Sequence, residues 1–310
     1  MSRFTMPGLK PAIIGACALL LCAGCSMRRM ATRSFADALA GGAGASFAHE
    51  SDLEIVKGAL PFSLKAMEAL LEHEPRHRSL LLSLAQGYML YAYAFVDMEA
   101  DEIKATDAAA YQHAKARARN LYYRAFDYAR RGLAAGSQQI ESAFASGDLD
   151  AALRAAARAD APFLYWAGAG LAKWIALAKT EPAAAVRLPE AAAYMQRALA
   201  LDPDFDRGAI HEFFIAYEAR GSAAGGDMAA AREHFQRALA LSEGKKLSPL
   251  LAYIEACAVP GQNRAEFNDL TRQIREFDVD RFPEYRLVNT IAKKRAAYLV
   301  RIQNDLFLGD

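Results

Sequence analysis

Ala193-Tyr194-Met195-Gln196-Arg197-Ala198-Leu199-Ala200-Leu201 and Glu233-His234-Phe235-Gln236-Arg237-Ala238-Leu239-Ala240-Leu241 end in the same six residues, forty positions apart. Around each, small or apolar residues recur at three- and four-residue steps: Ala191, Met195 and Ala198 in one, Ala231, Phe235 and Ala238 in the other. That is the period of an amphipathic helix.

Tetratricopeptide units put small residues where two antiparallel helices cross and a proline in the turn between units, with a period of about 34. Pro203 follows the first stretch, and the loop Gly221-Ser222-Ala223-Ala224-Gly225-Gly226 accounts for the longer spacing. A weaker unit shows at Met67, Leu70 and Pro75, followed by Leu81, Leu84, Ala85 and Tyr88 as the first helix of the next. From Ser51 onward the chain is rich in Ala, Leu, Arg and Glu, and alternating strand patterns are almost absent. Pro61, Pro75, Gly136, Gly147, Pro162, Pro182, Pro203, Pro249, Pro260 and Pro283 read as breakers. Thr106 reads as the cap of a long helix to about Ala135. The expected fold is all-α: stacked antiparallel helix pairs of tetratricopeptide-like repeats forming a solenoid, whose concave face suits a partner or ligand.

With 310 residues, 54% of them apolar, the chain can bury a sizeable core and is not intrinsically disordered. The 37 basic and 36 acidic residues nearly cancel, and no run of four Lys and Arg exists, so no nucleic-acid partner is expected.

Arg3 and Lys10 precede an apolar stretch from Pro11 to Ala23, too short for a spanning helix of roughly 20 residues. Ala23-Gly24-Cys25 looks like a bacterial lipobox, with Cys22 where Leu is usual. Residues 1–24 are therefore expected to be a lipoprotein signal peptide, Cys25 the lipidation site, 25–50 a tether, and 51–310 one helical domain. Cys17 and a plain secretory signal are the alternatives. Ser26, rather than Asp, after the cysteine resembles the signal for the outer membrane, to which acyl chains would tether the chain from the periplasm. Three of the four cysteines lie in this signal; Cys257 is left to pack between helices, with no intrachain disulfide.

Further strings go beyond a generic repeat protein. Ser34-Phe35-Ala36-Asp37-Ala38-Leu39 with Gly41 and Gly42, Tyr91-Ala92-Tyr93-Ala94-Phe95-Val96 with Glu99 and Asp101, and Gly208-Ala209-Ile210-His211-Glu212-Phe213-Phe214 resemble the T-component lipoproteins of TRAP transporters. Leu121-Tyr122-Tyr123-Arg124-Ala125 with Arg130-Arg131-Gly132-Leu133 is similar too, and the resemblance covers about residues 34–305. It implies a periplasmic, trimeric lipoprotein with a pore through each protomer. It also implies binding to the transporter's solute-binding P component and the passing of small hydrophobic ligands to it. A general tetratricopeptide lipoprotein that scaffolds an outer-membrane or secretion assembly is the alternative.

Enzyme signals are weak. His73-Glu74-Pro75-Arg76-His77 spells H-E-x-x-H, but zinc hydrolases need that motif on one helix, and Pro75 ends the helix. These residues are expected in an exposed turn. Ser242-Glu243-Gly244-Lys245 spells S-x-x-K after a helix end without its companion motifs, and no glycine loop is followed by Lys-Ser or Lys-Thr. No enzyme activity, cofactor or metal is expected.

The aromatic residues are the binding candidates. Tyr88, Tyr91 and Phe95 share a helical spacing, while Tyr93 points elsewhere; Trp166 and Trp174 read as one face across Ala167, Gly168, Ala169 and Gly170; His211, Phe213, Phe214 and Tyr217 form a third group. They fit either interhelical core or the wall of a ligand cavity or pore, where apolar and aromatic walls carry a few polar groups. Glu99 and Asp101 fit a solvated helix end or a polar mark at a pore mouth.

Overall fold

A computed structural model describes residues 46–178, 181–222 and 225–308, together with 34, 36–38 and 41; Cys25 and most of the tether lie outside the described residues. Among the described residues there are helices and turns and no strand.

Helix α1 (Leu53–His73) begins where the Asp52 carboxylate accepts from the N–H groups of Glu54 and Ile55. Its stripe of Val56, Leu60, Leu64, Met67 and Leu71 is buried. Pro61, expected as a breaker, sits inside α1. A proline there removes one helical hydrogen bond, and the apolar stripe, buried on both sides of it, carries the helix through. The chain turns at Glu74-Pro75, and α2 (Arg78–Ala92) starts with the His77 ring accepting from the Leu80 N–H at 3.4 Å. His73 and His77 thus flank a turn and do not share a helix. Glu74, however, is buried rather than exposed.

Past α2 the helix widens into a π turn, Tyr93–Asp97, before α3 (Met98–Ile103). The run from Arg78 to Ile103 is long and apolar enough to cross a membrane, but 56% of its most apolar window is already buried in the protein, where α1 and α4 take up its faces. The long helix α4 (Ala108–Gly136) is capped by Asp107, whose Oδ1 accepts from the Ala110 N–H at 2.9 Å. Thr106, the expected cap, instead donates its hydroxyl to the Ile103 carbonyl at 3.2 Å. Asp is the better N-cap of the two neighbours.

After α4 come α5 (Gln138–Ala145), α6 (Leu149–Ala155), α7 (Ala161–Ala176), α8 (Pro182–Ala185) and α9 (Leu188–Leu201). Pro162, Pro182 and Pro189 stand in the first turns of their helices, where the missing N–H costs nothing. Then follow α10 (Ala209–Glu218), α11 (Met228–Ser242), and α12 (Ser248–Tyr253) with a second π turn, Ile254–Ala258. The described chain ends with α13 (Arg264–Glu276), α14 (Arg286–Arg301) and α15 (Gln303–Leu306).

Neighbours along the chain are neighbours in space. α2 packs on α1 and α4, α4 on α7, and α7 on α9; α10 packs on α11 and α12, and α12 on α13 and α14. The two duplicated stretches form α9 and α11, and their shared Ala198 and Ala238 are fully buried. Two glycines let α7 be approached from both sides. A Cβ on Gly170 would stand 2.9 Å from the Phe126 nitrogen of α4, and one on Gly168 would stand 3.0 Å from the Ala191 carbonyl oxygen of α9. Two hydrophobic cores result, one built mainly from α1 to α9 and one from α10 to α14. α14 reaches back to α1, and Arg286 donates to the His49 carbonyl at 2.9 Å.

Candidate functional site: a central cavity

Between the two cores lies a cavity of about 990 Å³, at the large end of the range for small-molecule sites. α1 contributes Leu60 and Met67, α2 contributes Gln86 and Leu90, and the first π turn contributes Tyr93. From α7 come Tyr165, Trp166, Ala169, Ala172 and Lys173; from α10 come Glu212, Phe213, Ala216, Tyr217 and, just beyond it, Arg220. α12 and α14 close the remaining side with Leu251, Ala252, Leu287 and Ile291.

Of the nine aromatic and histidine candidates, Trp166, Phe213 and Tyr217 line this cavity. The Phe213 and Tyr217 rings stack at 5.8 Å, and the Trp166 ring stands edge-on to Tyr165 at 4.8 Å. Trp174 faces another way, 5.7 Å from Tyr123 and beneath the Arg119 guanidinium at 4.9 Å. Eight helical residues leave the two tryptophans about 80° apart, whereas Lys173, seven residues on, falls within about 20° of Trp166.

Tyr88 is buried in a polar knot. Its hydroxyl donates to Glu68 at 2.6 Å, the Tyr128 hydroxyl donates to the same oxygen at 2.7 Å, and Lys65 and Arg124 pair with that carboxylate. Burial alone would raise the Glu68 pKa, and these donors outweigh it and hold it below the ordinary value. Tyr91 and Phe95 pack on each other at 5.9 Å, with Arg117 over the Tyr91 ring. Phe214 stacks on His234 at 5.1 Å. His211 meets His234 as well, Nδ1 to Nδ1 at 2.8 Å, so one ring donates and the other accepts. Burial, then the His234 and Arg237 charges, push the His211 pKa down to about 4.

Polar groups of the cavity were not legible as a motif. Lys246, almost fully buried, donates to the Asp206 carboxylate at 3.2 Å and its carbonyl at 2.9 Å and lies 3.4 Å from Glu212. Burial disfavours its charge, and the two carboxylates more than compensate, keeping its pKa above the ordinary lysine value. Burial raises the Glu212 pKa against the pull of Lys246 and of the Ser248 hydroxyl, which donates to it at 2.9 Å. Behind another lining residue, Glu255, Arg295 of α14 donates to it at 2.6 Å and to Asp101 at 2.7 Å, and Lys115 pairs with Asp97 and Asp101. Asp101 is therefore a tie between α3, α4 and α14.

The Ser242 hydroxyl donates to the Leu239 carbonyl at 3.0 Å, and Cys257 is buried in the second π turn with its thiol pKa pushed up to about 11 by burial. Among the described residues no cluster of three metal-ligating side chains occurs.

Residues 49–307 match the TRAP transporter T-component family. The chain belongs to that family. An uncharacterized protein of Treponema pallidum (strain Nichols) is 30% identical over 319 positions, covering 97% of this chain and 99% of the relative. The T-component family is one of transporter parts, which sets its members among the accessory proteins of TRAP systems. The match spans every residue that lines the cavity except Phe47 and Ala48.

Proposed function

We propose that this T-component chain is a non-enzymatic periplasmic lipoprotein that binds the solute-binding P component of a TRAP transporter and shelters a small hydrophobic ligand in its central cavity. The single observation that carries the ligand half is the cavity itself: about 990 Å³ with mainly aliphatic and aromatic walls. The family match carries the partner half. Residues 1–24 act as the signal peptide and Cys25 takes the lipid, which tethers 25–50 to a membrane, with Ser26 favouring the outer one. Tethering restricts diffusion and raises the effective concentration of partners. The domain from 51 to 310 is a tetratricopeptide-like stack of helix pairs, supported by the pairing of α9 with α7 and α11 with α10, and it assembles as a homotrimer.

Light scattering on a sizing column, with the full chain alone and mixed with the same organism's solute-binding protein, tests this. The expected result is a trimer that binds the partner in fixed stoichiometry. A monomer that ignores the partner contradicts the transporter role and favours a scaffold for an envelope assembly.

A further inference from the structure

Hydrogen bonding in the cavity wall is lopsided. The carboxylates are answered: Asp206 and Glu212 by Lys246, Glu212 also by Ser248, and Glu255 by Arg295 at 2.6 Å. Glu284, the other acid of the wall, is exposed. Two donors on α7 are in the opposite condition. The Lys173 ammonium lies 4.8 Å over the Tyr93 ring and has no carboxylate within 4.0 Å among the described residues. The indole N–H of Trp166 is buried with no hydrogen-bond partner. Tyr93 and Tyr165 line the same wall beside them.

Lys173 and Trp166 are two turns apart on one face of α7, about 10 Å along its axis, with Ala169 and Ala172 leaving open space between them. Free donors in a largely apolar wall call for acceptor atoms, and an unanswered ammonium calls for a negative one. Arg220 is the other cation without a carboxylate here, but it is held: its Nε donates to the Tyr217 carbonyl and its guanidinium lies 3.7 Å over the Tyr217 ring.

We infer that the cavity's ligand is an amphiphile with a single anionic head, seated on the Lys173 ammonium, and an apolar body laid along the alanines of α7 toward Phe213 and Tyr217. This rests on the cavity being the ligand site. The apolar walls supply affinity, and Lys173 supplies selectivity for the anion.

Displacement of the neutral fluorophore N-phenyl-1-naphthylamine from the full chain at pH 7.5 tests it, with decanoate, decan-1-ol and decylamine as competitors. Decanoate is expected to displace the fluorophore at least about tenfold more tightly than the other two. Lys173→Met should remove that preference while leaving decanol within twofold of wild type, Lys173→Glu should shift it to decylamine, and Arg220→Gln should keep it. Equal competition by decanoate and decanol in wild type overturns the inference and leaves the hydrophobic cavity standing. So does an equal loss of both in Lys173→Met, or a loss of preference that follows Arg220. Failure of the fluorophore and of every competitor to bind overturns the ligand cavity itself.

Discussion

His211 and His234 share one proton across a 2.8 Å contact between α10 and α11, and both have pKa values lowered, first of all by burial. A base held below its ordinary value in the folded state binds fewer protons there than when unfolded. For His211, at about 4 folded against 6.5 ordinarily, stability is complete above about pH 6.5 and is lost as the pH falls through that window toward 4. The melting temperature of the wild type should therefore drop more steeply between pH 6.5 and 4 than that of His211→Gln, which has no ring to protonate. Calorimetric melts of both proteins across that range check it. Parallel curves would contradict the assignment.

At the scale of elements, α7 is the pivot, gripped by α4 on one side and α9 on the other. A Cβ on Gly170 meets backbone atoms of α4, the Phe126 nitrogen at 2.9 Å and the Tyr122 oxygen at 3.1 Å, which cannot move aside without shifting the helix. Gly168 meets one backbone atom, the Ala191 oxygen at 3.0 Å, and otherwise the Met195 side chain at 2.8 Å, which can change rotamer. Gly170→Ala should cost about 1–3 kcal/mol by overpacking, and Gly168→Ala less, read from urea midpoints. The reverse order would mean that the α4 crossing is not the tight one.

The glycines between the tryptophans were visible in the sequence, as were the all-helical character and the small residues at 191, 198, 231 and 238. What the sequence did not show follows from helix geometry. The π turn at Tyr93–Asp97 adds a residue to the helical turn, and Tyr93, set apart from the Tyr91 and Phe95 face, lines the cavity. An eight-residue spacing put Trp174 outside while Lys173 shares the inner face, so the charged member of the wall was overlooked. Glu212 stood in the string 208–214 without a role, and Lys246 belonged to no motif; only the packing of α10 against the start of α12 brings them together.

Over the whole molecule, the two cores leave space between them, and α14 returns to α1 to close it. Arg295 ties this closure to Asp101 and Glu255 at the cavity's edge. A family of transporter parts and a large, mainly apolar interior volume are explained together if the chain carries ligand without transforming it. The most direct measurement fills that volume. Ala169→Trp, on the wall between Trp166 and Lys173, should leave the far-UV circular dichroism and the association with the solute-binding protein unchanged, while binding of N-phenyl-1-naphthylamine falls at least about tenfold. Undiminished binding by a folded Ala169→Trp protein would contradict the claim that the central cavity holds the ligand.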